Sequence, residues 1–328
     1  PQEQTREIDE DITKRIAGQD KAESLFLRED VQNARDAMLL ERKAAEYLKR
    51  YYEDYADDEG VVLEKMTPLF PSGLSSEEVT QLLERINILD QVTSQRLAKA
   101  GRPRVEIAKE IEEEYKSSRI AIRSYIPSGS NEWIVSIEDP CGMPLNVIAG
   151  PLLVLDETTK IGVLSSEGIL GMGFYTNLAD CDTLRITTGI GNGRFHQLII
   201  TKDESTGKFI VSSFKESKGD YKGTRIERVK KFAKTGPSDL EAIFMEYSIH
   251  RYVGALQDIE VTHNGRKINE KLIEVDSVDT PYGQITLYFS DSRYQRITRN
   301  LLYVEYPKSE EYFALVPQQY LEILRGRG

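Results

Sequence analysis

Apolar residues in the first third of the chain recur every three or four positions, which is the period of an α-helix. In a helix predicted over 22–55, Val31, Ala34 and Met38 share one face, and we expect this face to pack against a core. An acidic run ending in Gly60 should stop the helix. Two further helices are expected, one beginning at Ser75, whose hydroxyl suits an N-cap, and one over about 105–116.

Strand patterns dominate the chain after residue 118. Runs over 119–125 and 133–137 flank a segment rich in proline, glycine and serine, which predicts a β-hairpin. An Asn264–Gly265 turn should follow another strand. Further strands are predicted over 183–188, 197–201, 209–213, 224–229, 259–264, 285–289 and 301–304, and a helix over 239–255. Runs of strands with helices to one side indicate the α+β class.

Composition narrows the class of protein. Hydrophobic residues make up 39% and charged residues 30% of the 328 residues, which is typical of a globular protein. No apolar run approaches the ~20 residues of a membrane span, so no membrane association is expected. Two cysteines offer no disulfide framework, which favours a reducing, cytoplasmic setting. The net charge of −11 argues against a stand-alone nucleic-acid binder.

The polar face of the first helix carries candidate chemistry. Glu29, Asn33 and Asp36 are spaced so that they share this face. A carboxamide oxygen can ligate Mg²⁺, and a carboxylate one turn away can orient or deprotonate a water molecule aimed at a phosphate. The segment by itself is equally the pattern of a helix with a solvated polar face.

Three later stretches suggest a nucleotide pocket. Asp139 follows a strand-like run, where its carboxylate could accept a hydrogen bond from the amine of adenine. Gly142 would allow close backbone approach, and Met143 would line the base pocket or simply pack in the core. Thr224 would lie behind the base, bonded to Asp139 or to the adenine, or would be an ordinary strand threonine.

The third stretch is rich in glycine. Gly168, Gly171 and Gly173 could let successive backbone N–H groups converge on phosphate oxygens, and a helix beginning near Phe174 would favour an anion at its N-terminus. Such glycine runs are also common in flexible loops. Residues 146–167 would form a lid over the nucleotide.

In chain order the four stretches are Leu27–Ala37, Asp139–Met143, Gly168–Phe174 and Gly223–Ile226. In that order they resemble the motifs of the GHKL ATPase superfamily. The sequence Phe26–Glu29 running into Asn33–Ala37, and Gly171–Tyr175, are most similar to the ninety-kilodalton heat-shock chaperones. The family usually has one residue between the aspartate and the glycine of its second motif, whereas Pro140 and Cys141 both intervene here. The resemblance covers about residues 20–265.

The resemblance implies a GHKL, or Bergerat, two-layer sandwich of a mixed or antiparallel sheet and helices that binds ATP and Mg²⁺. Glu29 would be the catalytic base, and Asn33 would hold the metal. The residues that would contact the nucleotide are Asn33, Asp36, Ala37, Asp139, Gly142, Met143, Gly168, Gly171, Met172, Gly173, Phe174 and Thr224. A basic residue from the next domain would complete the site, and Arg293, Arg296 and Arg299 are candidates.

The resemblance also suggests an organisation and a role. We expect an N-terminal arm over 1–20, the ATP-binding domain over 21–265 with a helical insertion at about 57–103, and a β-rich segment over 266–328. ATP would close a homodimer that acts on a client protein. Alternatives are an ATP-gated DNA clamp of the topoisomerase-B or MORC type, and a nucleotide-binding module without turnover. The three histidines are scattered along the sequence and do not indicate a metal site.

Overall fold

An eight-stranded mixed sheet and a layer of helices make up most of the described chain. The computed structural model describes residues 22–56, 58–149, 177–178, 181–205, 209–232, 237, 239–280, 283–290, 298–299 and 302–303. This arrangement confirms the α+β class and is consistent with a two-layer sandwich.

The helical layer is built around one long helix, α1. The helices are α1 Ala22–Asp54, α2 Leu63–Met66, a 3₁₀ turn at Thr67–Leu69, α3 Ser76–Ala100, α4 Arg104–Lys116, α5 Leu145–Ala149 and α6 Asp239–Val253. As the hydrophobic pattern predicts, Val31, Ala34 and Met38 of α1 are buried in the main core. Helices α3, α4 and α6 pack against α1, so the predicted insertion is part of the same helical layer.

The sheet places the end of β2 near its middle. Its strands are β1 Arg119–Tyr125, β2 Glu132–Asp139, β3 Thr183–Ile190, β4 Arg194–Lys202, β5 Phe209–Lys218, β6 Lys222–Lys231, β7 Glu260–His263 and β8 Arg266–Lys267. They are arranged in the order β5-β4-β3-β6-β2-β1-β7-β8, and only β1 and β7 pair in parallel. Two separate hairpins pair β9 Leu272–Thr280 with β10 Gly283–Ser290, and β11 Thr298–Arg299 with β12 Leu302–Tyr303.

Local sequence explains several boundaries. Ser75 begins α3 with a capping box, in which its hydroxyl accepts a bond from the backbone N–H of Glu78 and the Glu78 carboxylate accepts one from the Ser75 N–H. The helix ends at Gly101, whose φ of 63° is left-handed. Asn264 and Gly265 both have positive φ, 48° and 80°, as the predicted two-residue turn requires.

Arg42 holds α1 in place against its neighbours. Its guanidinium donates to the Tyr115 carbonyl at the end of α4 (3.0 Å) and to the Asp258 carbonyl before β7 (2.8 Å). Arg35, two turns earlier, pairs with the Asp258 carboxylate at 2.7 Å. The bonds from Arg42 add acceptor contacts at a helix end and in a loop, and the Arg35 pair adds a charged contact to the same loop. The orientation of α1 on the sheet is therefore set by polar as well as apolar contacts.

None of the helices in the described ranges combines the length and the apolar character that crossing a membrane requires. The division of the chain at residue 266 remains a prediction. The short strand β8, which begins there, pairs with β7 in the main sheet.

Candidate functional site

The polar face of α1 lies in an intermediate environment. Glu29, Asn33, Asp36 and Ala37 are all partly exposed, whereas the opposite face of the helix is buried. The Glu29 side chain is 22% exposed and lies 3.9 Å from the Arg28 guanidinium. Helix α1 packs on β1 and β2. The face that the sequence singles out is therefore neither core nor fully solvated.

Asp139 ends β2 and shapes the turn that follows. It pairs in register with Thr224 of β6, and its Oδ1 accepts a 2.8 Å bond from the Cys141 N–H. This bond to a residue two positions later is an Asx turn, which carries the chain through Pro140 to Gly142. Residue Asp139 as a whole is partly exposed.

Two buried threonines behind Asp139 form a directional chain of hydrogen bonds. The Met143 N–H donates to the Thr188 hydroxyl (2.7 Å), and the Thr224 hydroxyl donates to the Cys141 carbonyl (2.7 Å). The two hydroxyl oxygens are 2.8 Å apart. Because the Thr224 hydrogen is already used, Thr188 must donate to Thr224. Thr224 thus stabilises the turn by a hydrogen bond to Cys141 rather than to Asp139. Thr188 also belongs to this chain of hydrogen bonds, and the sequence did not indicate it.

Gly142 is required by backbone packing. A Cβ at this position would lie 2.1 Å from the carbonyl oxygen and 2.4 Å from the carbonyl carbon of Gly189, on β3. Gly223 of β6 is similarly close to β2, because a Cβ at this position would lie 2.5 Å from the backbone carbonyl oxygen of Asp139. The backbone at the end of β2 and in the turn after it therefore packs closely against the backbones of β3 and β6.

Met143 is partly buried and packs against the second, smaller core under β3, β4 and β5, which also contains Cys181.

Helix α3 contributes a residue to the same turn. Arg85 donates from one nitrogen to the Gly142 carbonyl (3.0 Å) and to the Glu41 carboxylate of α1 (3.1 Å). Glu41 is buried, and this burial raises its pKa although Arg85 acts against the rise. The predicted insertion therefore connects α1 to the Asp139 turn.

The Asp139 carboxyl group has an altered proton affinity. Burial raises its pKa to about 8, while the Cys141 N–H and Arg85 lower it and the nearby Glu41 and Glu138 raise it. At pH 7 this carboxyl group is largely protonated. A bound group that donates a hydrogen bond to it would favour the ionised form and lower the pKa.

A second buried polar cluster lies at the other end of α1. Asp30, next to Glu29, is buried, and its Oδ1 accepts a 2.7 Å bond from the Asn177 side chain. Arg228 of β6 donates to the Asn177 carbonyl (2.9 Å), and its guanidinium lies 3.7 Å from the centre of the Phe26 ring. Asn177 follows Gly173 by four positions in the sequence. The chain that comes after the glycine-rich stretch therefore returns to α1 beside Glu29.

Asp30 should make stability depend on pH. Burial raises its pKa from 3.8 to about 7, although Asn177 and Arg228 lower it. Because the folded-state pKa is the higher one, the folded protein binds the proton more tightly, and the free energy of unfolding falls as pH rises from about 4 to about 7. We expect Asp30→Asn to remove this loss, at most about 4 kcal/mol, and to stabilise the protein near pH 8. Urea unfolding at pH 5 and pH 8 measures the part of this loss that lies above pH 5, about 3 kcal/mol.

The exposed Asp54 on the same helix provides the control for this test. Asp54→Asn should leave the change of stability between the two pH values as in the wild type. An Asp30→Asn protein that loses as much stability as the wild type between pH 5 and pH 8 would contradict the assignment.

The structure brings together only some of the predicted site residues. Asp139, Gly142, Met143 and Thr224 meet at one turn, and the α1 residues line one helix face. The candidates that lie outside the described residues are Gly168, Gly171, Met172, Gly173, Phe174, Arg293, Arg296, the arm over 1–20 and residues 150–167 of the lid. The first four residues of the predicted lid, 146–149, belong to α5.

Two of the histidines that are scattered along the sequence lie close together in the structure. His250 of α6 and His263 of β7 lie with their ring centres 6.5 Å apart, beside Glu246. Thirteen positions separate the two histidines, and the chain must leave the helix and enter the sheet before they meet.

Sequence comparisons place the chain in no known family: it matches no protein-family model, and no curated protein is significantly similar to it.

Proposed function

We propose that the chain binds MgATP along α1 and hydrolyses it. The observation that carries this proposal is the order of contacts along the helix. Glu41 reaches the Asp139 turn through Arg85, and Asp30 bonds to Asn177, just after the glycine-rich stretch. Eleven positions of helix separate Asp30 from Glu41, a rise of about 16 Å. Base contacts at one end and phosphate contacts at the other suit an extended nucleoside triphosphate.

The base end recognises adenine through Asp139. Its carboxyl group accepts a hydrogen bond from the Cys141 N–H, and the residue as a whole is partly exposed. The exocyclic amine of adenine is a donor, so it would favour the ionised carboxylate. Guanine has a carbonyl oxygen at that position and offers no such donor. The threonine chain and Gly142 keep the turn rigid, which fixes the direction of the carboxyl group.

The phosphate end contains the reacting groups. Asn33 and Glu29 are partly exposed side chains with oxygen atoms, the donor type that Mg²⁺ prefers, so they fit this ion. Asn33 would hold Mg²⁺, which neutralises phosphate charge when bound. Glu29 would orient a water molecule and accept its proton as the water attacks the terminal phosphate. Backbone N–H groups of the glycine-rich stretch would stabilise the charge that develops.

Asp139→Asn tests the base end. The carboxamide oxygen can still accept from Cys141, but its NH₂ group would face the amine of adenine, donor against donor. We expect affinity for a non-hydrolysable ATP analogue to fall about 10- to 100-fold, and the preference for ATP over GTP to decrease because the amide can donate to guanine. Calorimetric titration with both nucleotides measures these changes.

The matched control for Asp139 is its neighbour on β2. Glu138 pairs with Arg225 at 3.1 Å, and strand alternation directs its side chain to the other face of the sheet. Glu138→Gln should bind ATP as the wild type does. Equal ATP affinity of Asp139→Asn and the wild type would refute the adenine contact.

We further propose that ATP closes a homodimer in a chaperone-like cycle, rather than gating DNA. The net charge of −11 favours a protein client over a polyanion. Light-scattering mass with and without an ATP analogue tests the dimer. DNA binding that weakens steeply with salt would instead support the clamp alternative.

A further inference from the structure

A mixed group of potential metal ligands is formed by residues that the candidate nucleotide site does not include. Glu246 and His250 are one turn apart on α6, and His263 is the last residue of β7. One ligand atom from each of the three lies within 4.8 Å of the others. The two imidazole rings are 6.5 Å apart and nearly perpendicular, at 80°. Strand β1 separates β7 from β2, which ends at Asp139.

His263 carries a second, independent sign of a ligand. It is only 9% exposed, and across the part of the chain that the structure describes its Nε2 atom has no hydrogen-bond partner. Buried polar atoms are normally satisfied, and one that is not calls for a bound group or a functional explanation. A metal ion that accepts the nitrogen lone pair would satisfy this atom.

We propose that Glu246, His250 and His263 form a binding site for a divalent transition-metal ion, with zinc as the best match. Two imidazole nitrogens and one carboxylate oxygen are a common three-ligand set for zinc and leave a fourth position for water. Magnesium and calcium prefer sets made of oxygen atoms alone. The proposal is independent of nucleotide binding.

Small side-chain movements would complete the geometry. Zinc–nitrogen bonds of about 2.0–2.1 Å in a tetrahedron place ligand atoms about 3.3 Å apart. The present separations are within 4.8 Å, so the groups must approach by roughly 1.5 Å at most. Glu246 is exposed and His250 is partly exposed, so both can adjust toward the more buried His263. The ion would then connect α6 to β7, the strand next to the edge strand β8.

Metal titration of the full chain tests the site. Protein freed of metal with a chelator and without nucleotide is titrated with Co²⁺, followed by its visible absorption, and Zn²⁺ affinity is obtained by competition with a chromogenic chelator. We expect one equivalent of Co²⁺ with the strong absorption of a tetrahedral site, displaced by Zn²⁺, and a rise in melting temperature with Zn²⁺. Loss of a partner outside the coordination sphere already costs about 10- to 100-fold in affinity, so loss of a ligand should cost about 100-fold or more.

The variants replace two of the three proposed ligands and, as a control, the one histidine of the sequence outside the site. Glu246→Gln and His250→Ala should each weaken Zn²⁺ binding about 100-fold. His196 lies on β4, outside the site, so His196→Gln should bind Zn²⁺ as the wild type does. Far-ultraviolet circular dichroism checks folding, and the exposed Glu246 decides the question if His250→Ala does not fold. The proposal is overturned if the wild type binds no stoichiometric metal, if the Glu246 and His250 variants keep wild-type affinity, or if His196→Gln loses binding equally.

Discussion

Glu29→Ala should lower the rate of ATP hydrolysis about 10²- to 10⁴-fold while leaving ATP binding nearly unchanged. The reason is that a general base would act on the attacking water in the transition state, whereas other groups along α1 would hold the nucleotide under the proposed function. Phosphate release under saturating ATP measures turnover, and calorimetric titration with a non-hydrolysable analogue measures binding. Glu29→Gln should behave in the same way, because the amide keeps the shape of the side chain but cannot accept the proton.

Glu46 offers a matched control, since it is an exposed glutamate on the same helix. Glu46→Ala removes one carboxylate from α1 and should hydrolyse ATP at the wild-type rate. An undiminished rate in Glu29→Ala would refute the role of Glu29 as base. If the wild-type chain binds ATP tightly without turnover, the nucleotide-binding module without catalysis is the correct alternative.

Gly142→Ala should destabilise the fold by more than about 3 kcal/mol, or prevent folding. The added methyl group would lie 2.1 Å from the Gly189 oxygen, and the contacted atoms belong to the backbone of β3, which cannot rotate away as a side chain can. The turn after β2 would have to move, which would break the Met143–Thr188 bond. Chemical denaturation measures the loss, and any folded fraction should have weakened ATP binding.

Gly129→Ala separates this clash from the general cost of replacing glycine. Gly129 lies in the β1–β2 turn with φ of 75°, and a Cβ there would meet nothing within 4 Å. Its replacement should cost only about 1–2 kcal/mol, the ordinary strain of a left-handed residue. Equal stability losses in the two variants would show that the approach of Gly189 is not what requires glycine at position 142.

Much of the local architecture could be predicted because it depends on neighbours in sequence. The buried stripe of Val31, Ala34 and Met38 follows from the helical period, and the start of α3 follows from the side chain of Ser75. The β1–β2 hairpin and the Asn264–Gly265 turn likewise depend on residues a few positions apart. In each of these the stabilising contacts are short-range, so a pattern of residues is enough to specify them.

The candidate site could be predicted only in part. Glu29, Asn33 and Asp139 were found because each belongs to a short motif. Arg85 and Glu41, in contrast, are 44 positions apart, and neither motif contains them. Thr188 looked like any strand threonine until register brought it opposite Thr224. The motif residues were therefore visible in the sequence, and the residues that hold them were not.

By itself the sequence determined the elements, their buried faces and the short stretches that carry chemistry, because propensity, capping and periodicity act over one or two turns of chain. Only the tertiary structure decided which side chains meet across large separations: Asp30 with Asn177, 147 positions away, and His250 with His263 across a helix and a strand. Those contacts depend on how the helices pack on the sheet and on the order of the strands, and both are determined by the packing of the whole core. The same packing buries Asp30 and desolvates the carboxyl group of the partly exposed Asp139. It therefore raises the pKa values of both groups, an effect that residue type alone cannot indicate.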